Sequence, residues 1–265
     1  MIRGDFHVHT RFCDGQASPE AMVRAALKKG MPAIGFSGHS RTAFDESWCM
    51  TEAGTQAYRA EIARLREKYA GRIAVYCGTE QDMCSDAPTA GYDYVIGSVH
   101  YLRHEGEYLP VDESAAHQRA AAERFFGGDV LAFAEAYYRQ LARVREVTGC
   151  GVIGHFDIVA KFNKDGALFD EDDPRYVRAW HDAADALLPA GAIFEINTGG
   201  IARAWCSVPY PAPPILEYLI SRGARFLLSG DAHRPDGLCF GFDEWGAWAA
   251  ERGAVLVDSP DICIQ

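Results

Sequence analysis

Five histidines, His7, His9, His39, His100 and His155, fall where a hydrophobic strand-like run gives way to a polar loop, and His233 lies just past another such run end. Glu80 closes a similar run that begins at Ile73. Imidazole nitrogens and carboxylate oxygens in these places point to a metal centre. Successive side chains on a strand face opposite ways, so His7 and His9, two apart, project to one side and can hold one cation together. Asp231 and His233 repeat that spacing. Parallel strands in α/β barrels carry their functional groups at their carboxyl ends, so run ends that are remote in sequence converge on one mouth. Histidines combined with carboxylates suit zinc, manganese or iron better than calcium. The candidate ligands exceed what one four-coordinate zinc takes, so at least two ions are implied and three fit. Glu80, with two oxygens, is the natural bridge.

The elements that must position these groups alternate short apolar runs with longer helical periodicity, the pattern of a parallel sheet with helical crossovers. Strands are expected at 2–9, 33–37, 73–79, 92–99, 151–154, 192–197 and 224–229. Ser18-Pro19 is an N-cap followed by a first-turn proline, and Gly30 ends that helix. Tyr58, Ile62, Leu65 and Tyr69 repeat at helical spacing within 51–69, before Gly71. A helical insertion near 103–149 has candidate helices at 114–126 and 130–147, the second with Phe133, Tyr137, Leu141 and Val144 on one face. Further helices are expected at 174–188, 213–221 and 242–251, and a short apolar segment closes the pattern at 255–257. No internal repeat or low-complexity tract is apparent.

With 265 residues, 48% of them hydrophobic, the chain suits one large α/β domain over 1–265. A formal charge of −11 and no block of basic residues argue against a nucleic-acid partner, and an anionic substrate needs local cations, which bound metals supply. The eight cysteines are scattered without a Cys-x-x-Cys pair, and the first residues run directly into a strand, so a reduced, cytoplasmic location is expected. No apolar stretch approaches the roughly 18 residues of a membrane span.

The His7-x-His9-Thr10 opening, His39, Glu80, His100, His155 and the Asp231-x-His233 ending resemble the polymerase and histidinol phosphatase (PHP) superfamily over essentially the whole chain. Gly97 to Leu102, Gly154 to Asp157 and Glu195 to Thr198 resemble the PHP-type histidinol-phosphatases more than the polymerase-associated members. The resemblance implies a distorted seven-stranded (β/α)7 TIM-like barrel with a trinuclear centre at the carboxyl ends of the strands. His7, His9, Glu80 and Asp231 would hold the first ion, Glu80, His100 and His155 the second, and Asp14, His39 and His233 the third. Many relatives have Asp before the second-strand histidine. Here Gly38 stands in that place, which removes a carboxylate that could orient His39 and weakens the third site.

The reaction so implied is hydrolysis of a phosphate monoester, L-histidinol phosphate to L-histidinol and phosphate in histidine biosynthesis, by water whose pKa coordination lowers from about 15.7 to about 7. Glu80, Asp231 and His233 carry it. The proton for the departing alcohol comes from coordinated water, Asp231 or His233. Arg203 and Lys161, in loops after strands, are candidate phosphate clamps, Arg being the bidentate one. Asn197, at a strand end, is a candidate substrate contact, and Glu195 reads as a hydrogen-bonded barrel residue. His104 reads as a solvated loop residue, His117 and His181 as helix residues, and the cysteines as small buried hydrophobes, with Cys13 alone near the mouth. Competing readings are a phosphoesterase for a nucleotide or phosphotyrosine, an amidohydrolase, which would add a bridging lysine and a lone terminal aspartate, and a non-catalytic metal-binding module, which would have lost ligands.

Overall fold

The computed structural model describes residues 4–259 and arranges them around a seven-stranded parallel sheet. Its strands are β1 (Ala33–Phe36), β2 (Ala74–Asp82), β3 (Tyr94–Ser98), β6 (Val152–Ile153), β7 (Ile193–Asn197), β8 (Arg225–Ser229) and β9 (Val255–Leu256), adjacent in that order. A separate hairpin, β4 (Tyr101–His104) and β5 (Glu107–Pro110), follows β3. The helices are α1 (Pro19–Lys28), α2 (Glu52–Lys68), α3 (Ala115–Phe125), α4 (Val130–Leu141), α5 (Val144–Thr148), α6 (Pro174–Leu187), α7 (Gly199–Ala202), α8 (Pro213–Ser221) and α9 (Phe242–Glu251). No described helix is long and apolar enough to cross a membrane.

Helix ends follow local chemistry. Ser18 accepts from the Ala21 N–H with Pro19 in the first turn, Thr51 caps α2 through the Gly54 N–H, and Gly30 and Gly71 take the left-handed conformation just beyond the two helices.

The inner face of the sheet changes character along each strand. On β3 the alternate residues Tyr94 and Ile96 are followed by Ser98, and on β7 Ile193 is followed by Glu195 and Asn197. Phe6, Tyr94, Ile96, Val152, Ile193 and Leu227 form one buried cluster, an apolar floor, and the polar members lie at the carboxyl ends above it.

Three expectations are corrected. Of the segment expected as the first strand, residues 2 and 3 lie outside the described residues, and the rest makes only isolated bridges, Asp5 with Ile34 and Val8 with Ala232. It closes the barrel between β1 and the end of β8, through Gly35 N to Asp5 O (2.8 Å), Ser37 N to Val8 O (3.0 Å) and His9 N to Ala232 O (3.0 Å). The seventh ladder strand is instead β9, the apolar segment near the C-terminus. The insertion is not purely helical, because the hairpin precedes α3, and the helix expected over 130–147 breaks at Ala142–Arg143 into α4 and α5. Finally, His104 lies on β4 with its ring against Phe125 and Phe126 rather than free in a loop.

Tyr94 ties the closing segment down. Its hydroxyl lies 2.6 Å from the Phe6 carbonyl and 3.0 Å from that of Phe36, and its ring crosses where a Cβ at Gly78 would stand 2.4 Å away. Glycine at 78 is what lets the ring through. Tyr94→Phe strands buried acceptors and is expected to cost about 1–3 kcal/mol of stability; an unchanged urea midpoint for the metal-free protein would show that the hydroxyl does not hold the seam.

Candidate metal centre

Glu80 sits near the end of β2, 1% exposed, with its side chain at the middle of the mouth. Its Oε1 accepts from Ser98 Oγ at 2.6 Å and lies 2.8 Å from His155 Nε2 and 3.4 Å from His100 Nε2. Its Oε2 faces His39 Nδ1 (2.9 Å), His7 Nε2 (3.2 Å) and His9 Nε2 (3.5 Å). Asp231 Oδ1 is 3.3 Å from His9 Nε2 and 3.8 Å from His7 Nε2. Asp14 reaches in from the loop after the closing segment, 3.0 Å from His233 Nε2 and 3.6 Å from His39 Nε2.

The nine residues expected as ligands are therefore brought together. One addition is that His9 also turns its Nδ1 toward Asp14, at 3.7 Å, so it adjoins two of the three groups. His7 Nε2, His9 Nε2, His39 Nδ1 and Glu80 Oε2 face one another, buried and without a hydrogen-bond partner. Nitrogens and oxygens that converge at about 3 Å yet do not align as hydrogen bonds fit a shared divalent cation better than a hydrogen-bonded network.

The electrostatics agree. Burial alone would raise the Glu80 pKa, but His7, His39 and His100 hold it well below the usual carboxylate range. Burial would lower His39, yet Glu80 and Asp14 push it up to about 9. His7 is likewise raised, by Glu195, Glu80 and Asp231 against burial. His9 goes the other way, to about 3, because burial and its neighbours His233 and His39 disfavour a further charge. Arg203 and His7 overcome burial to keep Asp231 ionised. This cluster of carboxylates draws positive charge to itself, as a cation site must.

Two carboxylates behind the histidines were not expected in this role. Glu195 Oε1 lies 2.6 Å from His7 Nδ1 while its Oε2 accepts the His155 N–H at 3.0 Å, and Asp82 Oδ2 accepts the His100 N–H at 2.8 Å with His100 Nδ1 3.1 Å away. Each fixes a ring so that its other nitrogen faces Glu80. A signal existed: Glu80 with Asp82, and Glu195 with Asn197, share the two-residue spacing of His7 and His9. A side chain at 38 would start 3.3 Å from Met50 and 3.6 Å from Cys13 Sγ, and that thiol itself lies 3.6 Å from His9 Nδ1.

A cavity of about 340 Å³ opens beside the cluster, and Lys161 and Arg203 both line it. Lys161 Nζ donates to the Asp112 carbonyl (2.8 Å) and lies 3.2 Å from its carboxylate. Arg203 donates to Asp231 Oδ2 (3.0 Å) and Asp231 O (3.2 Å), with His233 Nδ1 2.7 Å away. Asn197 is placed differently from expectation. It is fully buried behind Asp231, its amide bound to Glu195 Oε2 and Asp231 Oδ2 and its oxygen accepting from Gly199 N, so it steadies the carboxylates instead of facing the cavity.

A family model described as PHP domain matches residues 5–199. A protein of Deinococcus radiodurans named Probable histidinol-phosphatase is 32% identical over 249 residues, covering 90% of this chain and 89% of that protein. One of the same name from Schizosaccharomyces pombe is 25% identical, covering 86% of this chain and 80% of that protein. Among solved structures, histidinol phosphate phosphatase from Lactococcus lactis, complexed with zinc, L-histidinol and phosphate, superposes with a TM-score of 0.71 at 18% identity, covering 96% of this chain and 95% of that one. The hisK structure from Listeria monocytogenes gives 0.76 at 19% identity, covering 92% and 100%. These structural likenesses show the fold, a distorted TIM-like barrel.

Glu195→Gln keeps the shape beside His7 but removes the charge that orients it, and divalent-metal affinity is expected to fall about 10–100-fold. Competition against a chelator measures this, and unchanged affinity would remove Glu195 from the centre.

Proposed function

The chain belongs to the PHP domain family, and from that premise we propose that it is a metal-dependent phosphoric monoester hydrolase that converts L-histidinol phosphate to L-histidinol and phosphate in histidine biosynthesis. The observation that carries the reading is the buried Glu80 carboxylate, met by five histidines whose facing nitrogens lie within 3.5 Å of it. The names of the relatives and the ligands of the Lactococcus structure support the substrate. Two to three divalent ions, zinc, manganese or iron, would be held by the groups His7, His9, Glu80 and Asp231; Glu80, His100 and His155; and Asp14, His39 and His233. When bound they would neutralise the phosphate and lower the pKa of water toward about 7.

The chain's own groups do the rest. Lys161 and Arg203 hold the phosphate from the cavity wall, Arg203 with its planar fork and Lys161 as a point charge. Asp231, kept ionised by Arg203 and His7, is unsuited to give up a proton, which leaves His233 or water to protonate the departing alcohol. Glu195, Asp82 and Asn197 orient. Asp45, Asp112, Glu113 and Trp48 also line the cavity, and acidic and aromatic groups suit the ammonium and imidazole of histidinol. Gly38 supplies His39 with no neighbouring carboxylate, and the one at its Nδ1 is Glu80 (2.9 Å), shared with the other two groups, so the third ion would be the weakest held. The enzyme is placed in the cytoplasm, with a small phosphorylated metabolite and neither nucleic acid nor membrane as partner.

Protein loaded with Mn²⁺ or Zn²⁺ is expected to release phosphate from histidinol phosphate far faster than from nucleotides, phosphotyrosine or other monoesters; equal rates across such a panel, or none on histidinol phosphate, would remove the substrate. Metal binding is also expected to expel protons. In the metal-free protein His39 stays protonated below about 9, so apparent affinity should rise with pH up to that region. Calorimetric titration in two buffers of different ionisation enthalpy at pH 7 reads the protons released, and proton uptake would contradict the assignment.

A further inference from the structure

Trp205 is 46% exposed, one of the few large hydrophobic side chains left open among the described residues. Its ring is met by both cations of the cavity: Lys161 Nζ lies 4.1 Å from the centroid and Arg203 Cζ 4.3 Å. It also lines three adjoining cavities, the main one of about 340 Å³ and two neighbours of about 540 and 560 Å³. Arg203 lines the main cavity and the first neighbour, Lys161 the main cavity and the second. Each cation thus borders a side space into which it could turn, and Trp205 borders all of them.

The backbone delivers the ring deliberately. After α7, Ala204 adopts φ +56, a left-handed conformation that costs a non-glycine residue energy, and the turn is closed by Ala204 N to Ile201 O and Trp205 N to Gly200 O, both 2.9 Å. A strained turn that presents an exposed indole to two cations has a use.

Resting on the phosphatase reading above, we propose that Trp205 is a positioning residue: its π face holds the Lys161 ammonium and the Arg203 guanidinium at the wall of the main cavity, where both meet the phosphate of the substrate. Two cations aimed at one anion repel each other and are drawn away by their own carboxylates, Asp112 and Asp231. The ring quadrupole offsets that repulsion and favours the heads where they are. Trp205 need not touch the reacting atoms to do this.

Three variants separate a π face from mere bulk. Trp205→Ala is expected to raise KM about ten-fold with little change in kcat, because binding shared by ground state and transition state is what is lost. Trp205→Phe, which keeps a weaker quadrupole, should recover most of that loss, whereas Trp205→Leu should not. Recovery by Leu equal to that by Phe, or an unchanged KM in Trp205→Ala, would overturn the proposal. Metal content and melting temperature, unchanged in each variant, exclude a folding defect. The series is run on whichever ester of the panel the wild type hydrolyses, so a wrong substrate does not sink it. Independently of turnover, titrating the metal-loaded wild type with inorganic phosphate should change the indole fluorescence that is lost in Trp205→Phe, and phosphate should bind Trp205→Leu about ten-fold more weakly; equal binding by both proteins would also overturn it.

Discussion

Burying the Glu80 carboxylate is the constraint that organises the molecule. An ionised carboxylate removed from water costs several kcal/mol unless donors or cations surround it. Here the surroundings are Ser98 and five imidazoles, supplied by the closing segment, the end of β1, the end of β3 and the end of β6. The strand holds the group as firmly by its backbone, through Glu80 N to Ser37 O and Gly38 O (3.2 Å each) and Ser40 N to Glu80 O (2.9 Å). The closing segment and the ends of β1, β2, β3 and β6 must therefore arrive at one point, and in the metal-free chain the carboxylates secure their counter-charge by keeping protons on His7, His39 and His100.

The fold meets this demand with one repeated device. His7 with His9, Glu80 with Asp82, and Glu195 with Asn197 are each two residues apart on an extended chain, so each pair enters the mouth from one side. In the latter two pairs one member reaches the centre or its ligands and the other fixes a neighbour. The weak point is the seam between the closing segment and β8, which has no continuous ladder. Beside the backbone bonds His9 N to Ala232 O (3.0 Å) and Ala232 N to His7 O (2.9 Å), a side chain holds it: the fully buried Asp5 carboxylate accepts from Gly230 N (3.0 Å) and Cys239 N (2.9 Å), although burial lifts its pKa to about 6. A Cβ at Gly230 would stand 2.3 Å from that carboxylate, so glycine is required for the contact.

What could be read from the sequence was whatever local spacing determines. The capped helix α1, and ligand-type residues at the ends of apolar runs, follow from one stretch of chain. Partners across the barrel do not. Glu195 has the face and spacing of a functional residue, but its choice of His7, 188 positions away, depends on how the barrel closes. Asn197 was expected at the substrate for the same reason, and its bonds to Glu195, Asp231 and Gly199 set it behind Asp231. The hairpin escaped because His104 to Glu107 reads as a polar loop; the signal was Gly106, which with Glu105 has positive φ as a tight two-residue turn requires. The closing segment looked like a strand because its residues alternate properly, yet alternation specifies faces and not continuous pairing.

Charge at the mouth then fixes an order of events. The cavity is lined by six carboxylates, Asp14, Asp45, Glu80, Asp112, Glu113 and Asp231, against two permanent cations, Lys161 and Arg203, in a chain whose formal charge is −11. Both cations are already engaged, Lys161 by Asp112 and Arg203 by Asp231. Even with protons on His39 and His100 the six carboxylates outnumber the positive groups of the lining, so a phosphate dianion approaching the metal-free site meets a negative field both far away and at contact. Divalent ions held as proposed would reverse the local sign in place of the histidine protons, and Lys161 and Arg203 could then share their carboxylates with a phosphate instead of choosing between them. On the proposed reading this puts metal binding before substrate, and it gives the two cations on the wall the task of orienting an anion that the ions would attract.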